Sequence, residues 1–392
     1  MKKIFLFIII IGLPIILTVA DEITPLVVWT DGGDIGVWQN GATTIIPVGD
    51  AIFPYLSPSG EQIALVRGTY SYPEKLSVIS LNGDNLRDID ISYPRQVIWQ
   101  SEMVLWVNDF APSEGALGLP YGTMLYRINL ETGDIASWDM GEPFMMTINS
   151  SRDILALSFA GVYQVDEGRI SFLSLTEENP QHREALRFPA ISNGSHEGYY
   201  PKIQWFDETT FGVAIPQPDA VYILREREDI TISLWQIAVS QSEAMQLGEI
   251  DTRYGFSLFD PPVWSHDSLS YFTYINDELH LMITSVDGQT IYHEIPFDLL
   301  PAISPVNIPT TSLIAYNQDI ALMMFVTKDM PPTLWFSAGG SFLSELHQSD
   351  RGIVFLRLGG TETTLMYIGV DETEPHAIAK IKYYAFFDAK WD

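Results

Sequence analysis

Seven times along this chain an apolar or tryptophan position leads into a short polar turn and then an apolar stretch of the Ile-Ala-Phe kind. The clearest copy is Leu56-Ser57-Pro58-Ser59-Gly60-Glu61-Gln62-Ile63-Ala64-Leu65. The others lead with Trp99, Ile148, Trp205, Trp264, Ile303 and Leu346, and an eighth begins at Trp391-Asp392. The spacing runs from 39 residues (264 to 303) to 59 residues (205 to 264). A self-similar period near 40–50 residues is that of propeller blades, each a four-stranded sheet that cannot bury its faces alone. Ser, Asp and Gly in the repeat serve the tight turn and Trp and Leu fill space between blades, so these recurring residues are read as scaffold.

The rest of each interval holds two more strands. Leu76–Leu81 precedes Asn82-Gly83, Leu125–Leu130 precedes Glu131-Thr132-Gly133-Asp134, and Leu281–Val286 precedes Asp287-Gly288. Period-two alternation ended by such dipeptides is a hairpin signal. No long stretch of helical period follows the first twenty residues. Leu26–Thr30, Ile35–Gly41 and Thr43–Pro47 read as strands two, three and four of a blade without a first strand, and Asp388–Asp392 as a first strand without a blade. Joined, they close the ring and remove its free edges. The expected fold is all-β: one propeller over residues 21–392, with eight four-stranded blades. If the Ile303 segment is an irregular extension of its neighbour, the count is seven.

Residues 1–20 read differently. Lys2 and Lys3 precede the uncharged apolar run Ile4–Ala20, and Thr18-Val19-Ala20 offers small residues at a cleavage position. This is the pattern of a secretory signal peptide, with an uncleaved N-terminal anchor as the rival reading. The chain is therefore expected outside the cytoplasm, periplasmic, cell-surface or secreted, touching membrane only through that segment. It has no cysteine, so disulfides, thiolate metal sites and a Cys nucleophile are excluded. An exported protein without disulfides needs a large core of its own, and 46% apolar residues supply one. The formal charge of −29 argues against nucleic acid, whose phosphates demand a basic footprint. Asn149-Ser150-Ser151 and Asn193-Gly194-Ser195 match the glycosylation sequon, a short pattern read here as accidental.

The stretches Pro54–Gly68 (PYLSPSGEQIALVRG) and Pro261–Tyr274 (PPVWSHDSLSYFTY) resemble the WD40-like repeats of TolB-type β-propellers. Their usual form is Pro-x-Trp-Ser-Pro-Asp-Gly followed by Ile-Ala-Phe. The resemblance covers most of the chain in period, but only these two copies are sharp. It implies a propeller that serves as a protein-interaction platform in the cell envelope.

No motif announces chemistry. There is no Gly-x-Ser-x-Gly elbow, no His-Glu-x-x-His, and the seven histidines are scattered. Asp31-Gly32-Gly33-Asp34 lacks the ligand order of a calcium loop and reads as a turn. No catalytic residue, metal or cofactor is assigned. Topology is more informative. In an up-and-down blade, the connection between strands two and three emerges on the same face as the connection between blades. Four long insertions fall there: Asp109–Gly122, Pro216–Asp229, Pro180–Tyr200 and Ile250–Pro262. Function concentrates in such loops. Tyr199, Tyr200, Arg253, Tyr254, Phe256 and His196 are the candidate binding residues, expected to take a protein, peptide or glycan. The alternative is a propeller enzyme of glycosidase or lyase type, with carboxylates converging near the central channel.

Overall fold

The computed structural model describes residues 24–391 apart from 71, 110–121, 162–166, 177–179, 192–199, 219–229, 242–243, 253–262 and most connections between strands after residue 265. The expected export segment lies outside the described residues. Between 250 and 346 the strand backbone is described, with His280 the one side chain placed.

The chain forms eight four-stranded antiparallel sheets, each built from strands consecutive in sequence, with one exception. Blade 1 takes Leu26–Asp31, Asp34–Gln39 and Ala42–Ile46 from the start of the described chain, and Phe387–Lys390 from its end. The later strand pairs antiparallel with Leu26–Asp31, Val28 opposite Asp388 and Trp29 opposite Phe387. Blades 2 to 5 begin with Ala51–Leu56, Pro94–Ser101, Phe144–Ile148 and Gln204–Trp205. Blades 6 to 8 begin with Val263–Ser265, Ile303–Asn307 and Phe342–Gln348. The Ile303 segment thus opens a blade of its own, which settles the count at eight. The shared blade expected from the two chain ends is present, and Asp31–Asp34 is a turn between paired strands.

Contacts between the first strands of neighbouring blades place those strands innermost, around the axis. Burial falls away from them. The second strand of blade 1, Leu26–Asp31, is buried at five of six positions. The outermost strand Ala42–Ile46 is exposed at four of five. Outer strands solve their edge problem with polar residues: Arg87–Ser92 carries Arg87, Asp88 and Asp90 outward and only Ile89 and Ile91 inward. Apolar clusters straddle neighbouring sheets rather than lying within one. Val28, Ile35, Ile63 and Leu65 join blades 1 and 2, and Val66, Leu76, Val97 and Leu105 join 2 and 3. Trp29 and Phe387 of blade 1 share a cluster with Val354, Leu356 and Leu365 of blade 8. Across these described seams each blade needs its neighbour to be dry.

Trp29, 1% exposed, lies in register opposite Gly36. A β-carbon on Gly36 would run into the indole ring. The glycine is there because the ring occupies the place of its missing side chain, a pairing known to hold glycine in strands. Gly168 does the same beneath Phe188, its cross-strand partner.

One insertion boundary differs from expectation. The first half of the Pro180–Tyr200 stretch is strand: His182–Pro189 is the outer strand of blade 4. Its polar outward positions, His182, Arg183 and Glu184, are those of an outermost strand rather than a loop. The connection proper starts after Pro189. Likewise Ile250–Thr252 still belongs to the outer strand of blade 5. Among the described residues no helix is long and apolar enough to cross a membrane.

Candidate functional site

The two ends of the axis differ in chemistry. At the end carrying the inter-blade connections, Phe53, Tyr70, Arg95 and Phe386 from blades 1, 2 and 3 meet, and Tyr72 and Tyr93 form a second pair on the same connections. Phe53 and Phe386 pack with ring centroids 4.3 Å apart. Tyr70 lies parallel to Phe386, centroids 5.5 Å apart and planes 1° from parallel. The Arg95 guanidinium carbon sits 5.1 Å from the Phe53 centroid and 5.4 Å from that of Tyr70, within cation–π range of both. Tyr72 and Tyr93 meet edge to face, their hydroxyls 2.6 Å apart. That bond raises the Tyr72 hydroxyl above the usual phenol range, helped by some desolvation and by the charge of Glu74. Tyr70 is 56% and Tyr72 42% exposed, although both are large aromatics.

The backbone is shaped to present this cluster. Arg95 is the extra residue of a β-bulge: Pro94 pairs with Asp109 and Gln96 with Asn108, leaving Arg95 unpaired between them. Bulges re-aim side chains and gather at working sites. Tyr93 has φ +58°, the left-handed region that bulky residues avoid, at a cost of order 1–3 kcal/mol. Gly68, at φ +127°, opens the hairpin that carries Tyr70 and Tyr72, and a β-carbon there would lie 2.7 Å from the Tyr72 carbonyl oxygen. The strand before it is pinned by Arg67, whose Nε bonds Asp50 at 2.6 Å and whose Nη1 bonds Asp88 at 2.9 Å. Phe386 is set by Thr30: its amide donates to Thr30 Oγ1 at 3.2 Å, and that hydroxyl donates to the Ile52 carbonyl at 3.2 Å.

Among the described residues, the opposite end of blades 1 to 5 is polar and cross-linked by hydrogen bonds. Asp388, on the closing strand, accepts from the Leu56 amide at 2.7 Å and from the Ala389 amide at 2.9 Å. His347 Nδ1 lies 3.5 Å from it. Its side chain is only a quarter exposed. Burial pushes the carboxyl up, against the pull of His347, these amides and Arg152. Arg152 stands where the Ser57–Gly60 turn has its glycine: the Arg152 amide donates to the Asn149 carbonyl as the Gly60 amide does to that of Ser57. Both are left-handed, Gly60 at φ +78° and Arg152 at +59°. The Arg152 guanidinium donates to the Trp99 carbonyl. Glu102 accepts from Ser59, and Glu208 from Ser150 Oγ at 2.7 Å and the Ser151 amide at 2.6 Å. Both glutamates follow a blade's lead tryptophan by three residues. Asn149 Nδ2 has Ser151 Oγ, Asp153 Oδ1 and the Glu208 carbonyl within 2.8 Å for its two hydrogens, which leaves that sequon asparagine buried and engaged. These carboxylates are occupied as staples between blades.

The Glu208 staple is acid-labile. Hydrogen bonds from Ser151 and Ser150 hold the Glu208 carboxyl below the usual range, and those from Ser151 and Asn149 do so for Asp153. A carboxyl with a lowered folded pKa contributes its stability above the unfolded value, about 4, and loses it as pH falls through the folded value. Glu208→Gln is therefore expected to lower Tm at pH 7 while flattening its fall between about pH 5 and 3. Calorimetry across that range checks this; parallel pH profiles would remove Glu208 from the staple.

Of the residues singled out by sequence, Tyr200 is described: it is half-buried, its hydroxyl shielded from solvent. Tyr199, Arg253, Tyr254, Phe256 and His196 lie outside the described residues. The aromatic cluster occupies short connections, which loop length does not single out. A signal existed: Ser-Tyr-Pro occurs twice, at Ser71-Tyr72-Pro73 and Ser92-Tyr93-Pro94, and supplies the tyrosine pair. A groove of about 770 Å³ opens between blades 1 and 2 on the opposite face, lined by Gln39, Thr44, Ser59, Glu61, Ser80 and Asn82 among others. It contains no aromatic and no cation. Among the described residues no group of three or more His, Asp or Glu could hold a metal ion.

No protein-family model and no curated protein matches this chain. Solved structures do. A eukaryotic initiation factor superposes with a TM-score of 0.54 at 10% identity, covering 93% of this chain and 98% of that one. Oligopeptidase B from Leishmania major gives 0.51 at 9% identity, covering 90% and 54%. The acylaminoacyl peptidase of Pyrococcus horikoshii gives 0.50 at 11%, covering 74% and 46%. The chain spans about half the length of these two peptidases. At such identities the likeness is one of fold, and it agrees with the sheet order: the chain is an eight-bladed β-propeller closed by its own C-terminal strand.

Proposed function

We propose that this chain is an exported, non-enzymatic β-propeller of the TolB-like kind. It binds a protein, peptide or glycan of the envelope or the extracellular space on the face that carries the inter-blade connections. The supporting observation is the aromatic cluster there, with Tyr70 and Tyr72 more than two-fifths exposed and Tyr93 held in an unfavourable backbone conformation. Exposed tyrosines beside an arginine are the residue types that dominate interfaces. Tyr199, Tyr200, Arg253, Tyr254, Phe256 and His196, on or beside the blade 4–5 and blade 5–6 connections, extend the same surface in this reading. The first twenty residues support export, and the Pro54–Gly68 repeat supports the TolB-like relation.

The test compares capture from an envelope extract by wild type, a Tyr70→Ala/Tyr72→Ala variant and a Ser59→Ala variant on the opposite face. The tyrosine variant is expected to fold normally and to lose capture, each anchor being worth ~2 kcal/mol, about thirtyfold in affinity. Ser59→Ala is expected to lower stability slightly and to capture as wild type does. Capture retained by the tyrosine variant and lost by Ser59→Ala would move the binding face to the other side.

A further inference from the structure

Arg95 makes no ion pair, and its guanidinium no hydrogen bond, with any described residue. Its backbone carbonyl accepts from Tyr55 at 3.2 Å, and its side chain is held only by the faces of Phe53 and Tyr70. The chain has 50 acidic and 21 basic residues, so carboxylates outnumber cations more than two to one. Three other arginines of the blades pair with carboxylates: Arg67 has Asp50 and Asp88, Arg169 has Glu142, and Arg187 has Glu167 and Glu184. Arg95 is a fork of five donors, fixed in orientation by two rings, re-aimed by a bulge and left unspent.

We propose that Arg95 receives the C-terminal carboxylate of a neutral or basic peptide whose last side chain is apolar and lies against Tyr70 and Phe386. This rests on the connection-bearing face being the binding face, as argued above. Three observations select this ligand. A guanidinium with its donors free matches a carboxylate two bonds at a time. Tyr70 is shared: it sits 5.4 Å from the Arg95 charge and stacks on Phe386, so the cation and the apolar surface lie within one residue's length of each other. A chain terminus supplies a carboxylate and an apolar group on a single residue. Finally, the net charge of −29 repels polyanions, so an acidic peptide or a polyuronate is disfavoured while a basic peptide is drawn in.

The full chain without its first twenty residues is tested on a peptide array. The probes are 12-residue peptides, neutral or Lys-containing, ending in Leu, Phe, Val or Ala. Each is present as the free acid and as the C-terminal amide. Amidated peptides with an internal Asp or Glu, and glucuronate-bearing oligosaccharides, complete the set. Free acids ending in Leu or Phe are expected to bind about tenfold or more tighter than their amides. That ratio should collapse towards one in Arg95→Gln and persist in part in Arg95→Lys, with unfolding midpoints near wild type for both. Salt should weaken the basic free acids most. Acid and amide binding alike, with loss in Tyr70→Ala, would overturn the carboxylate assignment and leave the binding face standing. Preference for the oligosaccharides or for internal acids would overturn it in their favour. Binding of no probe, while Tyr70→Ala/Tyr72→Ala still abolishes capture from extract, would equally overturn the peptide-terminus assignment.

Discussion

Removing residues 386–392 is expected to open the ring. The truncated chain loses the four residue pairs between Phe387–Lys390 and Leu26–Trp29, the bond from the Leu56 amide to Asp388, and the burial of Phe387, which is 6% exposed against blades 1 and 8. Loss of a buried phenylalanine alone costs about 3–5 kcal/mol. For a chain of this size each kcal/mol moves Tm by roughly 2 °C, so a fall of more than about 6 °C is expected. The loss also bares the edge of Leu26–Asp31, a strand buried at five of six positions, and such an edge invites pairing with another chain. Calorimetry and size-exclusion chromatography check both effects. An unchanged midpoint with an unchanged monomer would mean that blade 1 stands without its fourth strand.

A second large effect is expected where Trp29 covers Gly36. Gly36→Ala puts a methyl group into the indole ring, and overpacking of a full site typically costs 1–3 kcal/mol, here at or above about 3 because the ring is 1% exposed and has nowhere to go. Trp29→Ala is expected to cost about 3–5 kcal/mol through the cavity between blades 1 and 8. The double variant should be less destabilised than the sum of the two, since the new methyl enters space the ring has left. Urea unfolding of all four proteins measures the coupling. Strict additivity would show that the glycine is not held by the ring.

The fold was largely legible because its determinants are local and repeated. Leu56–Leu65 shows the whole unit: apolar lead, turn, apolar strand. Even the degenerate Ile148–Ile154 copy keeps the turn bond from residue 152 to residue 149. The halved blade was legible for the same reason, as Leu26–Ile46 shows three strands and the C-terminal segment one. His182–Pro189 is less legible as a strand, because Arg183, Glu184 and Arg187 surround its apolar Ala185, Leu186 and Phe188 and a bulge breaks the two-residue period. The aromatic cluster was hidden for a different reason. Phe53, Tyr70, Arg95 and Phe386 come from three blades and lie up to 333 positions apart in sequence, and only ring closure brings Phe386 to Phe53. The bulge that frees Arg95 leaves no mark in residue type. What sequence offered there was the doubled Ser-Tyr-Pro and an arginine.

The closing strand also sets the order in which the molecule can be finished. Thr30 bonds to Phe386, a partner 356 residues away. A ribosome adding about 5–20 residues per second needs roughly 20–70 s to supply it. Through that interval Leu26–Asp31 waits with one edge unpaired, while blades 2 to 8 appear one after another and pack on their predecessors. Contacts of such sequence separation also slow folding itself, because loop closure must precede any reward from pairing. On the export route proposed above, that delay keeps the ring incomplete, and the chain threadable, until Phe387–Lys390 is made.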